Sequence, residues 1–302
     1  VWDEGKPQLA RLAWRLAGLA AGLLVYVILP LRAAAHPPIN WGNPTTLAGI
    51  WWVISGGPYR ALAFGLPQEL VGARVQGWAS LLIAQFGLLG MVAAFYGLFF
   101  GAARRKRVKL VTAWMAGVFS IFAIGYNTAD SYAYLLPAFL ALSIWLGLAL
   151  ATALASLRRQ KRPFAAQSAV CGGLLLAILI NGVNQLPNVD ASRNLAAEKF
   201  GEAVMVGAAP GALLFTHADR DSFAAWYFHF ALGRRPDLAV LVEPLLIFDW
   251  YRDNLRATYP GLSVPDSAGT TWREALARAN ARPVCDALLD TTVELACRAP
   301  LP

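Results

Sequence analysis

The chain has 302 residues, of which 57% are hydrophobic and 15% charged, and its mean hydropathy is +0.48. A water-soluble domain carries about a quarter charged residues, so a wholly soluble globular protein is excluded. The net charge of +8 would suit a nucleic-acid partner only if it were gathered on one face, and it is not. Residues 1–189 hold 15 Lys or Arg against 4 Asp or Glu, whereas residues 190–302 hold 11 against 14.

The sequence starts at Val1, and no n-region, apolar h-region and cleavage site precede its first hydrophobic stretch. That pattern lacks a signal peptide and is expected for the later part of a longer protein. Five stretches then carry no charge for long enough to cross a hydrocarbon core: Leu16 to Leu31, Val75 to Ala103, Leu110 to Ala129, Ser131 to Leu157, and Phe164 to Gln185. Crossing takes about 20 apolar residues. The first stretch is short, but Arg11 and Arg15 can snorkel, so its span is expected to begin a turn or two earlier. The expected spans are residues 13–33, 76–101, 109–127, 132–156 and 165–185, within a membrane domain of residues 1–189.

The basic clusters set the orientation. Lys6, Arg11 and Arg15 lie before or at the start of the first span, Arg104 to Lys109 lie between the second and third, and Arg158 to Arg162 separate the fourth and fifth. Positive loops stay inside, so the N-terminus is expected in the cytoplasm and the segment after the fifth span outside it. The expected location is a bacterial inner membrane or its equivalent.

The first outer loop, residues 34–74, is rich in Pro, Gly and Trp. Its stretch Leu47 to Ile54, with Trp51 and Trp52, reads either as a re-entrant or interfacial helix or as a loop resting on the bilayer. His36-Pro37-Pro38-Ile39-Asn40-Trp41-Gly42-Asn43-Pro44 joins a stiff Pro pair to two amides and an indole. Amides offer paired donors and acceptors and an indole offers a stacking face, which suits a head group or sugar. The same Asn side chains also suit a fixed turn that satisfies its own backbone. Asp130, in the short second outer connection, fits a proton acceptor, a partner for Arg32, or a solvated helix cap.

Residues 190–302 show the periodicity of a soluble domain. A helix capped by Asp190 to about Val206, strands at Ala212 to Thr216 and Leu238 to Val242, and a helix at Ser222 to Leu232 are expected. Helices at Asp249 to Thr258 and Thr271 to Ala281 and strands at Val284 to Leu289 and Thr292 to Cys297 follow. The alternation predicts a small α/β domain. The fold class is therefore a polytopic α-helical membrane protein of about five transmembrane helices with a C-terminal extracytoplasmic α/β domain.

Chemical motifs are sparse. There is no phosphate-binding glycine loop and no GxSxG elbow, and His36, His217 and His229 lack metal-ligand spacing, so no metal site is expected from them. Thr216 to Asp221 follow a strand end, where α/β domains place ligands. Asp219 and Asp221 flank Arg220 there, although capping plus an ion pair explains the same residues. Cys285 and Cys297 would close a short disulfide loop in an oxidising compartment; two buried thiols are the alternative.

Three segments carry a family resemblance: LPLRAAAHPPINWGNPTTLAGIWWVISGGPYR from Leu29, YNTADSYAYLLPAFLALSIWLGLAL from Tyr126, and LLFTHADRDSFAAWYFHFALGRRPDLAVL from Leu213. In collinear order they resemble a family of membrane proteins that was long labelled a domain of unknown function and includes the transmembrane protein O-mannosyltransferases. The resemblance implies a GT-C glycosyltransferase that passes a sugar, such as mannose, from a polyprenyl-phosphate carrier to an extracytoplasmic acceptor such as protein Ser or Thr. In that superfamily an acidic residue in the first outer loop of an N-terminal membrane module usually does the base or metal work. The catalytic residue, and any divalent metal of the full-length enzyme, are thus expected upstream of this sequence, and no cofactor is identified within it.

The implied partners are membrane lipid, a polyprenyl-phosphate-linked sugar and a protein or glycan acceptor, with no nucleic acid. By the resemblance, Arg32, Asn40, Trp41 and Asn43 lie in a family-like loop, and Asp219, Arg220 and Asp221 in a family-like tail motif; His36 and Asp130 are further donor- or substrate-binding candidates. A guanidinium fork binds phosphate oxygens bidentately, which makes Arg32 and Arg60 the leading donor-binding candidates. A non-enzymatic membrane anchor that presents an α/β interaction domain is the competing reading; a transporter lacks support, since no span carries a buried charge.

Overall fold

The computed structural model describes residues 8–101, 106–267, 269 and 271–300. Lys6, Arg104, Arg105 and the end of the second apolar stretch lie outside the described residues. Among those described, five helices are long and apolar enough to cross a membrane: Leu12–Ala34, Gln68–Phe100, Lys106–Gly125, Ser131–Arg159 and Phe164–Val189. With the mixed sheet that follows them, they make a polytopic helical membrane protein carrying a C-terminal α/β domain.

The chain divides into two compact units, Val1–Gly57 with Ser192–Pro302, and Pro58–Ala191. The division differs from a boundary at residue 189, because residues 34–57 of the first loop group with the C-terminal domain, whereas residues 58–74 group with the later spans.

In the unit of residues 58–191, α4 (Gln68–Phe100) is interrupted at Gly87, whose φ of 67° and ψ of 163° lie outside the helical region. Glycine alone enters that region without a Cβ penalty, so the kink has an identifiable cause. Helices α5 (Lys106–Gly125), α6 (Leu136–Arg159) and α7 (Phe164–Val189) follow. Alanines and Leu135, Leu142 and Trp145 fill the core of this unit. With lipid outside there is no hydrophobic drive between spans, so close approach at small residues and buried hydrogen bonds hold them together.

Both devices are present at Trp145. Its Nε1 donates to Thr112 Oγ1 at 2.8 Å, and a Cβ built on Gly97 would lie 1.9 Å from the Trp145 carbonyl oxygen. Near the other end of α4, the Arg74 guanidinium donates to the Thr128 carbonyl at 2.8 Å and to Ser131 Oγ. It also lies over the Tyr132 ring at 5.3 Å. The turn Gly57–Leu62 is tied to the loop after α5, since Asn127 N–H donates to the Leu62 carbonyl at 2.9 Å.

In the other unit, the first span is built from α1 (Gln8–Leu23), a 3-10 turn (Leu24–Val27) and α2 (Ile28–Ala34). The loop then forms α3 (Leu47–Ile54), capped by Thr46, whose Oγ1 accepts from Gly49 N–H at 3.1 Å. The C-terminal domain comprises α8 (Ala196–Gly207), β1 (Leu213–Thr216), α9 (Asp219–Trp226), β2 (Ala239–Val242), α10 (Asp249–Thr258), α11 (Trp272–Ala279), β3 (Val284–Leu289) and β4 (Val293–Arg298).

The strand order is β2-β1-β3-β4, with β1 parallel to β2 and β3, and β4 antiparallel to β3. Both β1 and β2 are buried along their whole length, as expected of parallel strands covered on two faces. Cys285 and Cys297 face each other in the β3–β4 register and are joined by a disulfide. Arg235 closes the end of α8 by donating to the Met205 carbonyl at 2.8 Å and the Ala208 carbonyl at 3.1 Å. Its bond to Asp237 at 2.9 Å holds the Asp237 carboxyl well below the usual carboxylate range.

The second span starts at Gln68, eight residues ahead of the expected position, and two boundaries of the C-terminal part also differ clearly from the sequence expectation. Asp190 ends α7, which runs through Pro187, and does not cap the next helix; α8 starts only at Ala196, where Asn194 Oδ1 accepts from the Ala196 N–H at 3.2 Å. The helix expected over Ser222 to Leu232 instead starts at Asp219 and gives way to a π turn at Tyr227–Ala231.

Two outcomes are expected. Replacing Gly97 by Ala should cost about 1–3 kcal/mol through overpacking, read as a lower unfolding temperature in detergent than that of Gly90→Ala, a site whose added Cβ makes only ordinary contact. His229, buried with Nδ1 3.2 Å from the Arg234 carbonyl, has its pKa pushed below 6.5 by that burial. The unfolded chain therefore binds the proton first, and stability should fall as pH drops below about 6.5. His229→Gln should flatten that fall; an unchanged pH profile of thermal unfolding would assign it to other groups.

Candidate functional site

Two sites emerge in the unit formed by the first loop and the C-terminal domain. The first is an aromatic bracket. Gly42, at φ +72°, has no room for a Cβ, which would meet Val53 Cγ2 at 2.6 Å; this tight turn folds the loop back on α3. Trp41 then meets Trp250 at 5.5 Å between ring centroids, and Trp52 meets Phe248 at 5.8 Å and Trp250 at 6.3 Å. Asn254 of α10 donates from Nδ2 to the Pro38 carbonyl at 2.7 Å.

Within the loop, buried Asn40 donates from Nδ2 to the Ala33 carbonyl at 3.3 Å and to Asn43 Oδ1 at 3.0 Å. The two amides thus hold the loop's own shape, and Asn43 itself sits at φ 39°. Arg32 is exposed in the last turn of α2, and His36 is exposed at φ 47°. His36, Asn40, Trp41 and Asn43 therefore lie in the loop that follows α2, and Arg32 lies in that helix's last turn. Arg60 and Asp130, both exposed, belong to the unit of residues 58–191.

The tail motif separates into different tasks. Asp221 is fully buried, and its carboxylate accepts from the His217 N–H at 2.7 Å and the Ala218 N–H at 2.9 Å. It caps the start of α9, and no ion pair joins it to Arg220 among the described residues. Asp219 and Arg220 are exposed and rim a groove of 680 Å³ between α8 and α9, whose walls include Phe223 and Tyr227.

The second site lies at the carboxyl ends of the parallel strands. The chain leaves β1 toward β2 on one side, and leaves β3 toward β4 on the other. Between two such strands opens the crevice where α/β sheets bind ligands. His217 follows β1, Glu243 follows β2, and Asp286 lies in β3 beside Phe215. His217 Nδ1 is 3.3 Å from Glu243 Oε2, and Nε2 is 3.4 Å from Asp286 Oδ1. Arg273, in the first turn of α11, completes the group, donating to Glu243 Oε2 at 3.0 Å and Asp286 Oδ2 at 2.5 Å. It lies 5.0 Å from the Phe215 ring centre, and its hydrogen bond to Asp286 is the main cause that raises its pKa further.

Sequence reasoning missed this group, because its members are up to 69 positions apart. The strand-end position of His217 was a usable signal. Glu243 and Asp286 carried a weaker one, each an acidic residue at the edge of, or inside, an otherwise apolar strand.

Five apolar helices of spanning length and a small mixed sheet flanked by helices define an integral membrane protein with a built-in α/β domain. Residues 197–272 match the family model described as TMEM260-associated domain 2. Over 273 residues, 84% of the chain, the sequence is 22% identical to the Protein O-mannosyl-transferase TMEM260 of Mus musculus. The chain spans 38% of that relative's length. No solved structure matches the chain.

If the bracket ties the loop to the domain, Trp250→Ala should cost about 1–3 kcal/mol from lost aromatic pairs. Limited proteolysis should then cut between residues 36 and 56 faster than in the wild type. Equal cutting rates would show that the loop is held by other contacts.

Proposed function

We propose that the chain is part of an integral-membrane glycosyltransferase that moves a sugar, mannose by analogy with its relative, from a polyprenyl-phosphate carrier to a protein acceptor outside the cytoplasm. The observation that carries this reading is the match to the mouse enzyme over 84% of the chain. It takes in both the spans and the C-terminal domain, so it reflects more than shared apolar composition.

The bracket supports a division of labour. The loop that follows the first span holds exposed Arg32 at the end of a membrane helix, the level of a carrier lipid's phosphate. A guanidinium there pairs with phosphate oxygens, while the Asn40–Asn43 clamp and the Trp41–Trp250 contact keep the loop in place. The groove beside Asp219, Arg220 and Phe223 is open to an acceptor. The disulfide supports an oxidising, extracytoplasmic setting for the domain, as do the positive clusters between the spans.

The test uses the full-length protein in membranes with a polyprenyl-phosphate mannose donor and an acceptor peptide. Arg32→Ala is expected to lower transfer at least tenfold, and Arg32→Lys less, with both variants inserted at wild-type levels. Wild-type transfer by Arg32→Ala would remove Arg32 from the donor site. No transfer by the wild type with any polyprenyl sugar, together with unchanged surface glycoproteins in cells lacking the gene, would favour the anchor with an interaction domain.

A further inference from the structure

We infer that His217, Glu243 and Asp286 form a binding site for a divalent cation of the zinc–manganese class, with Arg273 as the residue that positions the two carboxylates. The inference rests on the geometry of the C-terminal domain and is independent of the sugar-transfer reading.

One ligand atom from each of the three residues lies within 4.8 Å of the others. A cation held at about 2.0–2.2 Å from nitrogen and oxygen requires its ligands to stand about 3.3–4.4 Å apart. The side chains are between 22% and 34% exposed, so small χ rotations can close the remaining gap. One imidazole and two carboxylates make a mixed nitrogen and oxygen set. Imidazole suits zinc and its neighbours, carboxylates suit manganese, and a set without nitrogen would have pointed to magnesium or calcium.

The carboxylate oxygens are divided between tasks. Arg273 occupies Glu243 Oε2 and Asp286 Oδ2, which fixes both carboxylates as the outer partners of a metal site commonly do. Asp286 Oδ1 is left buried with no hydrogen-bond partner among the described residues, although it faces His217 Nε2 at 3.4 Å. A buried carboxylate oxygen without a donor is costly and calls for a partner, and a cation in the crevice supplies one. The guanidinium offsets one of the two negative charges, so the pocket keeps a net charge of about −1 with His217 neutral, still favourable to a dication. Three protein ligands leave coordination positions open toward the crevice, the arrangement of a site that also receives a second ligand.

The competing account is a closed ring of alternating charges, Glu243–His217–Asp286–Arg273, that needs a protonated imidazole and no metal. Metal retention separates the two. The full chain, purified in detergent and stripped with a chelator, is incubated with Zn²⁺, Mn²⁺ or Mg²⁺, desalted, and assayed for bound metal by mass spectrometry. Wild type is expected to keep one Zn²⁺ or Mn²⁺ per chain and little Mg²⁺, with a higher unfolding temperature when loaded. His217→Ala and the milder Glu243→Gln should each lower affinity at least tenfold, and they should abolish the metal-dependent thermal shift while metal-free unfolding stays cooperative. Failure of the wild type to keep Zn²⁺ or Mn²⁺, or retention that survives both substitutions, leaves an ion-pair ring only and overturns the site.

Discussion

The contact on which this unit depends is the burial of Trp41 and Trp52 against Phe248 and Trp250. A loop of 12 residues between α2 and α3, with three prolines and one glycine, has little reason of its own to hold one shape, since its backbone must find partners outside regular structure. Here those partners are supplied from two sides. Asn40 fastens the loop to the end of α2, and Asn254 fastens it to α10. Aromatic surface between these polar fastenings supplies area that water would otherwise cover. The sheet domain is thereby attached by packing to the loop that follows the first span.

The sheet then serves as a frame rather than as the reactive element. Its buried parallel strands β1 and β2 present no polar side chain to their faces except Thr216, whose hydroxyl meets Ser222 Oγ at 2.8 Å. In these two strands polar groups accumulate where the strand ends, and Asp286 of β3 joins them from within its strand. Asp221 takes up the backbone N–H groups of the first strand-end turn, which fixes the direction in which His217 leaves the strand. Arg273 is delivered by α11, whose start is set by Thr271 accepting from the Glu274 N–H at 3.2 Å. Capping residues thus determine where the ionisable ones stand.

Much of the architecture was legible because it follows from long, uniform signals. Spans are written as charge-free runs, and helix α3 and helix α10 coincide with their sequence expectations because Thr46 and Asp249 mark their starts. Strand β3 also matches, being an apolar run bounded by Pro283 and Asp290. What was not legible depends on chain closure. The amides of Asn40 and Asn43 fit a ligand and a turn equally well until the Ala33 carbonyl is seen beside them. Asp190 looks like a cap because it precedes a polar segment, but α7 continues through Pro187 and uses that residue as its end. His217, Glu243 and Asp286 share no spacing rule; only the order of parallel strands brings them to one crevice.

The loop–domain contact has a bearing on how the chain is assembled. Pro38 and Asn254 are separated by 216 positions, so the loop emerges during synthesis long before its partner exists. Between them lie four apolar helices, an even number of crossings, and only an even number returns the chain to the leaflet where the loop waits. A ribosome product with one helix skipped, or one inverted, would deliver α10 to the opposite face, and the tryptophans would stay in contact with lipid or water. The contact between the loop and α10 is therefore open only to chains in which an even number of helices has crossed between them.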